Sequence, residues 1–302
     1  MGISASMQRI YALLHQTSSY SYPLLITGET GTGKKLTAET LHSLGPRKSR
    51  ALVVADFSKM APTLAESELF GYERGTFAGA THAQWGLLAF AREGTILLKE
   101  IGDLPLHVQA RVMQMLQDKE FSPIGSSLTL PFTARILATS SRDLQAEARR
   151  GTFREDLLLT LNAIHIKLPP LRERTEDIPV LADYFLDRYG GSDQRALKFS
   201  STAMRHLCTY HWPGNVAELE ETVRSAISTR SGNTIEVSDL GLTRGSPDDC
   251  RWAAGLTSYF DDREREAIVQ ALRNSQGNKA AAAKLLGIAE SALQKRLQYY
   301  HL

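Results

Sequence analysis

The sequence predicts an α/β fold: a parallel sheet covered by helices on both faces, then a small helical domain and a C-terminal helix-turn-helix. Three observations carry this. Short β-rich apolar runs alternate with helical patterns through the first half of the chain. A glycine-rich loop stands between the first of these runs and a helix, the context of a phosphate site. After Pro170 the strand signal disappears and helical patterns take over.

Taken in order, Leu24-Leu25-Ile26 is the first strand and runs into the loop; Lys34 to Leu44 reads as helix. Leu52-Val53-Val54-Ala55, Ile96-Leu97-Leu98, Ala134 to Ala138 and Ile164 to Leu168 are the next strands, the last stopped by Pro169-Pro170. Between the third and fourth, Val108, Val112, Met115 and Leu116 share one helical face. Residues 175–230 read as helices, with Glu176-Asp177 near one start and Pro213-Gly214-Asn215 punctuating the middle. The expected boundaries are 1–172 for the nucleotide-binding α/β subdomain, 173–242 for the small helical domain, 243–258 for a turn-rich linker holding Trp252, and 259–302 for the helix-turn-helix.

In that last stretch Asp261 or Asp262 can cap a first helix whose apolar face includes Ile268 and Leu272. Asn278 can cap the second, Lys279 to Leu286, and Gly287 makes the turn into a third from about Ala289. Lys279, Lys284, Lys295 and Arg296 form a local positive patch, and Glu290, Ser291 and Gln294 lie early on the reading helix beside Lys295. DNA is the expected partner; a plain three-helix bundle with a solvated basic face is the alternative.

Bulk composition narrows the function classes. With 302 residues, 42% of them hydrophobic, the chain can bury a sizeable core in two or three domains. A net charge of +2 excludes a global field for nucleic acid and requires a local patch. Cys208 and Cys250 lack metal-ligand spacing and read as reduced structural thiols. No apolar run reaches the roughly 18 residues of a membrane span, and no secretory pattern opens the chain. A cytoplasmic protein with no membrane partner is expected.

The loop Gly28-Glu29-Thr30-Gly31-Thr32-Gly33-Lys34 carries the chemistry. Its glycines let backbone N–H groups wrap a polyphosphate, Lys34 supplies a positive charge, and the helix that follows adds its dipole. ATP or ADP is the expected ligand. Lys35 stands where the full pattern wants a hydroxyl for magnesium. The second ATPase strand, Gly94 to Glu100, should end in an acid pair that holds magnesium and water, but here the first acid is Lys99. Glu100 keeps the water-orienting role. Lys99 repels a divalent cation, its ammonium could itself approach the phosphates, and no metal ligand set is assigned. A side chain lying at the domain edge and touching nothing is its structural alternative.

Taken together with Glu68-Leu69-Phe70-Gly71, Gly75 to Ala80, Glu100 to Pro105, Phe153 to Leu157, Leu168 to Arg174 and Trp212 to Val216, these motifs make the chain similar to the bacterial enhancer-binding proteins. These are the sigma-54-dependent transcriptional activators of the AAA+ class. The resemblance covers nearly the whole chain and implies a Rossmann-like AAA+ P-loop sheet, a helical lid and a Fis-type helix-turn-helix. It also implies sigma-54 RNA polymerase as a partner and homo-oligomers, dimers or hexameric to heptameric rings. The preceding sensory domain is absent or removed.

The departures from the family are several. Asp56 matches the Asn that restrains the catalytic Glu, Ser140-Ser141 replace Thr-Asn, and Ala217 replaces the lid's nucleotide-sensing Arg. Arg154 matches the first arginine that reaches a neighbour's γ-phosphate, and Thr160 stands where the second is expected. Losing one arginine finger typically costs about 10³–10⁵ in rate. The family's sigma-contact loop is here Gly75-Thr76-Phe77-Ala78-Gly79-Ala80, with Phe77 kept and a Thr replaced by Ala78. The resemblance therefore implies a nucleotide- and DNA-binding regulator with impaired hydrolysis and weakened sigma-54 contact. Two alternatives stay open: a working ATPase that remodels sigma-54 polymerase, using Glu100, Arg154 and Phe77, and an inactive partner in a mixed ring, lending Arg154.

Overall fold

The computed structural model describes residues 2–77, 80–190, 197–230 and 232–242. In the C-terminal segment it describes positions 269, 271, 272, 275, 278, 279, 282, 293 and 297. The chain forms two compact units, residues 1–243 and 244–302.

The first unit is built on a five-stranded sheet: β1 (Leu24–Thr27), β2 (Leu52–Asp56), β3 (Thr95–Lys99), β4 (Arg135–Ser140) and β5 (Ile164–Lys167). Their order is β2-β3-β4-β1-β5, with all neighbours parallel. Both faces are covered, so the inner strands carry consecutive apolar residues, as in Leu24 to Ile26, Ile96 to Leu98 and Ile136 to Ala138, rather than alternating ones. On one face Leu25, Ile96, Leu98, Ile136 and Ala138 join a core with Leu69, Val108, Val112, Met115 and Leu157. These last come from α3 (Ala65–Phe70), α5 (Leu106–Asp118) and α7 (Glu155–Leu161). On the other face Leu24, Ile26, Leu97 and Leu137 meet Met7, Ile10, Leu14, Ala38 and Leu41, from α1 (Ala5–Thr17) and α2 (Lys34–Leu44). The sheet's period of two thus sends alternate residues of each inner strand into different cores.

Among the described residues, the buried Arg135 has no acidic partner. Its guanidinium donates to the Thr17 and Ser18 carbonyls at 2.8 and 2.6 Å. These close α1, so the guanidinium charge sits against the negative end of a helix dipole.

The lid packs α8 (Asp177–Tyr189), α9 (Ser201–Thr209) and α10 (Asn215–Thr229) around Trp212. Trp212 is fully buried and donates its indole N–H to the Leu207 carbonyl at 2.8 Å. One correction applies to the all-helical reading: Lys198–Phe199 and Thr234–Ile235 form a two-residue parallel pair at the lid's edge. Among the described residues, no helix is long and apolar enough to cross a membrane.

The residues before α1 are tied to the lid. The fully buried Asp177 accepts from the Ile3 and Ser4 backbone N–H groups at 2.6 and 2.7 Å and from the Ser4 hydroxyl at 2.9 Å. In the second unit, Ala271, Ala282, Leu293 and Leu297 form a small core. The Asn278 carbonyl accepts from the Ala282 N–H at 2.9 Å, the first-turn bond expected where Asn278 starts a helix. The linker, Cys250, Trp252, Asp261, Asp262, Ile268 and Gly287 lie outside the described residues.

Candidate functional site

The carboxyl ends of β1, β3 and β4 converge, as ligand sites do in parallel sheets. β1 delivers the Gly28-to-Lys34 loop, β3 delivers Glu100, and β4 ends at Ser140 beside Ser141. The loop is closed by its own lysine: Lys34 Nζ donates to the Gly28 and Glu29 carbonyls at 2.8 and 3.2 Å. The same ammonium lies 3.2 Å from Glu100 Oε1. The first N–H groups of α2, which begins where the loop ends, have no intrahelical acceptor. Lys35 lies on the helix surface, 3.5 Å from Glu39.

Glu100 is held from two sides. Its Oε2 accepts from the Ser141 N–H and hydroxyl, each at 2.7 Å. Its backbone is left-handed at φ 55°, a strained setting that over-determined sites tolerate. Burial raises the pKa of the carboxyl, but the Ser141 hydrogen bonds and the Lys34 charge outweigh it and leave it below the usual carboxylate range. Ser141 is read from sequence as a loss; the structure gives it the task of fixing the carboxylate.

Lys99 does not lie idle at the domain edge. Its ammonium donates to Asp56 Oδ2 at 2.6 Å, and Asp56 and Lys99 are register partners at the ends of β2 and β3. Asp56 Oδ1 accepts from the Ser58 hydroxyl at 2.6 Å. Burial raises the Asp56 pKa, but Lys99 and Ser58 pull it below the ordinary aspartate value. Two departures read separately from the sequence are one ion pair. Both oxygens of Asp56 and both of Glu100 already carry donors or a cation. The described residues contain no group of three or more acidic, His or Cys side chains fit for a metal. This donor set does not fit a magnesium ion held by the strand ends.

The outer face of the loop is fastened to the lid residue by residue. Arg172 grips Glu29 with both guanidinium ends, at 2.7 and 2.5 Å. The fully buried Asn215 donates to Glu29 Oε2 at 3.1 Å and the Thr30 carbonyl at 2.9 Å, and accepts from the Leu171 N–H at 2.7 Å. The Ala217 N–H donates to the Gly31 carbonyl at 3.3 Å. A Cβ at Gly31 would lie 2.0 Å from the Gly214 carbonyl oxygen, so only glycine permits this approach. Arg174 donates to the Thr32 carbonyl at 3.0 Å and stands 4.0 Å from Asp177. The Arg172 hydrogen bonds, then Asn215, hold the Glu29 carboxyl down at about 2. Sequence reading places Arg172, Arg174 and Asn215 in motifs and Asp177 near a helix start, but gives none of the four a part in this site. The available signal was charge set inside an apolar, proline-bounded stretch.

Within the first unit, Arg154, Thr160 and the Gly75-to-Ala80 loop make their contacts with other residues. Arg154 is exposed and pairs with Asp156 at 2.7 Å, at the start of α7. The Thr160 hydroxyl turns back to the Asp156 carbonyl at 2.9 Å. Phe77 is exposed, its ring 4.9 Å from that of Tyr72. Thr76 donates to the Glu73 carbonyl. The Gly75 N–H donates to the Ala80 carbonyl at 2.8 Å, closing the base of that loop. Ala78 and Gly79 lie outside the described residues, as do Lys284, Glu290, Ser291, Gln294, Lys295 and Arg296; Lys279 is exposed.

The Sigma-54 interaction domain family matches residues 1–167, the AAA+ ATPase lid domain family residues 172–247, and the Fis family of bacterial regulatory proteins residues 259–300. The chain is 39% identical over 287 residues to Regulatory protein AtoC of Escherichia coli (strain K12), covering 92% of this chain and 62% of AtoC. It is 39% identical over 300 residues to Transcriptional regulatory protein ZraR of Klebsiella oxytoca, covering 98% of this chain and 68% of ZraR. Against Nitrogen fixation protein AnfA of Azotobacter vinelandii it is 39% identical and spans 57% of that protein. The chain therefore covers only part of the length of these relatives. Among solved structures, NtrX from Brucella abortus in complex with ADP aligns over 100% of this chain and 70% of its own, with TM-score 0.75 and 25% identity. By these matches the chain belongs to the sigma-54 interaction domain family of transcriptional regulators, with the AAA+ fold, lid and Fis-type helix-turn-helix of that family.

Proposed function

We propose that this chain is a nucleotide-binding, DNA-binding transcription regulator in which ADP or ATP is held as a structural ligand and hydrolysis is impaired. The carrying observation is the contrast within one site. The loop that cradles phosphates is complete and fastened to the lid through Glu29, Asn215 and Arg172. The positions that should act on the phosphates are Lys99, Thr160 and Ala217. The solved NtrX structures with ADP and with ATP support the nucleotide as the ligand class. The Fis-type segment supports DNA as a partner, and the family supports sigma-54 polymerase, homo-oligomers and a cytoplasmic setting. With the family loop carrying Ala78 for Thr, contact with sigma-54 is weakened.

Phosphate release by the purified chain, with and without DNA, tests this. Turnover near background, with nucleotide still bound, is the expected result. Robust turnover abolished by Glu100→Gln overturns it and favours the second reading, a working ATPase that remodels sigma-54 polymerase. That reading draws on one observation: Glu100 is already positioned by Ser141 and Lys34. Restored turnover on mixing with an active homologue, lost with Arg154→Ala, would instead assign the chain to mixed rings.

A further inference from the structure

The geometry points to a nucleotide site that works without a divalent cation, because a cross-strand ion pair occupies the place from which the metal is normally held. This inference rests on the reading that the loop binds a nucleotide. Magnesium joins triphosphate to protein through oxygen ligands, usually one or two carboxylates with several waters kept. At the strand ends of this chain the carboxylates are Asp56 and Glu100. Asp56 is saturated by Lys99 and Ser58, at 2.6 Å each. Glu100 is engaged by Ser141 and faced by the Lys34 ammonium. A divalent ion arriving here meets two ammonium groups before it meets a carboxylate oxygen free of donors.

The pair is an exchange rather than a loss. The family's Asn and Asp at these two positions carry one negative charge between them. Asp56 and Lys99 carry none and keep a bond across the same β2–β3 register. Because β2 is an edge strand and the loop follows β1, with β3 and β4 between them, Asp56 draws the ammonium away from the phosphates. Lys99 therefore excludes the metal without replacing it as a phosphate contact. The phosphate charge is met by Lys34, the loop N–H groups and the N-terminus of α2.

The test is equilibrium binding of ATP and ADP to the full chain in excess magnesium and in excess chelator. Affinities that differ by less than about threefold support the inference; a larger fall in chelator overturns it. No binding in either condition overturns the nucleotide reading itself, and this inference with it, so the two failures are distinguishable. The reciprocal variant Asp56→Asn/Lys99→Asp rebuilds the family pairing. Its nucleotide affinity should fall at least about tenfold on chelation. A folded double variant that binds nucleotide and stays indifferent to magnesium refutes the role given to the pair. If that variant does not fold, the comparison on the unaltered chain still decides.

Discussion

Replacing Asn215 with alanine should destabilise the first compact unit by about 3–5 kcal/mol. The side chain is fully buried and serves four backbone or side-chain groups from three segments of the chain. Alanine strands the buried Leu171 N–H and the Thr30 carbonyl. The orphaned buried N–H costs roughly 1–3 kcal/mol, and losing the bond to the Thr30 carbonyl, which lies in an exposed residue within reach of water, costs about 1 kcal/mol. The backbone adds to this, because Asn215 sits at φ 55°, where a Cβ without a polar partner costs about 1 kcal/mol more. Asn215→Gly separates the two contributions, since glycine loses the same hydrogen bonds without the backbone penalty. Urea unfolding followed by the fluorescence of the neighbouring buried Trp212 reads both variants. For a unit of this size the alanine variant should melt roughly 6–20 °C lower. An alanine variant within about 0.5 kcal/mol of the parent would refute the assignment of Asn215 as the fastening between loop and lid. Identical stabilities for the alanine and glycine variants would remove the backbone contribution alone.

The acid behaviour of Glu29 follows from the carboxyl being held at about 2 in the folded chain, against 4.5 ordinarily. Its contribution to stability is complete above the ordinary value and is lost as pH falls through that window toward 2, so Glu29→Gln should flatten the acid-unfolding curve there; superimposable curves would contradict this. Gly31→Ala places a methyl 2.0 Å from the Gly214 carbonyl at φ 81°. It should weaken nucleotide binding by at least about tenfold in a titration, and unchanged affinity would show that the loop and lid can separate freely. Burial pushes the Cys208 thiol up to about 12. In a Cys250→Ser background it should therefore alkylate at pH 8 roughly a thousandfold more slowly than after unfolding, and rapid labelling of the native chain would be incompatible with its place in the lid.

The strands were legible because burial on both faces leaves uninterrupted apolar runs, as in Leu24 to Ile26 and Ile96 to Leu98, bounded by a glycine-rich loop or a proline pair. The phosphate loop was legible because its glycines and lysine fall within seven consecutive residues. What stayed hidden depends on register or on distance along the chain. Asp56 and Lys99 could each be seen as a departure, but only the sheet order makes them neighbours. Asn215 and Glu29 lie 186 residues apart, beyond any local pattern. The helix α1 drew no expectation, although Ser4 caps it and Met7, Ile10 and Leu14 recur at helical spacing on its buried face. Its apolar positions are too few to stand out in a window that includes polar neighbours.

The fastening of residues 2–4 to Asp177 makes the start of the chain a reporter of lid position. Asp177 opens α8, and the same carboxylate that holds Ser4 faces Arg174, whose other partner is the Thr32 carbonyl in the loop. Ile3 is 48% exposed although its backbone is clamped. A fluorophore on an Ile3→Cys variant would sit at the seam where sheet and lid meet, sensing loop occupancy without touching the nucleotide.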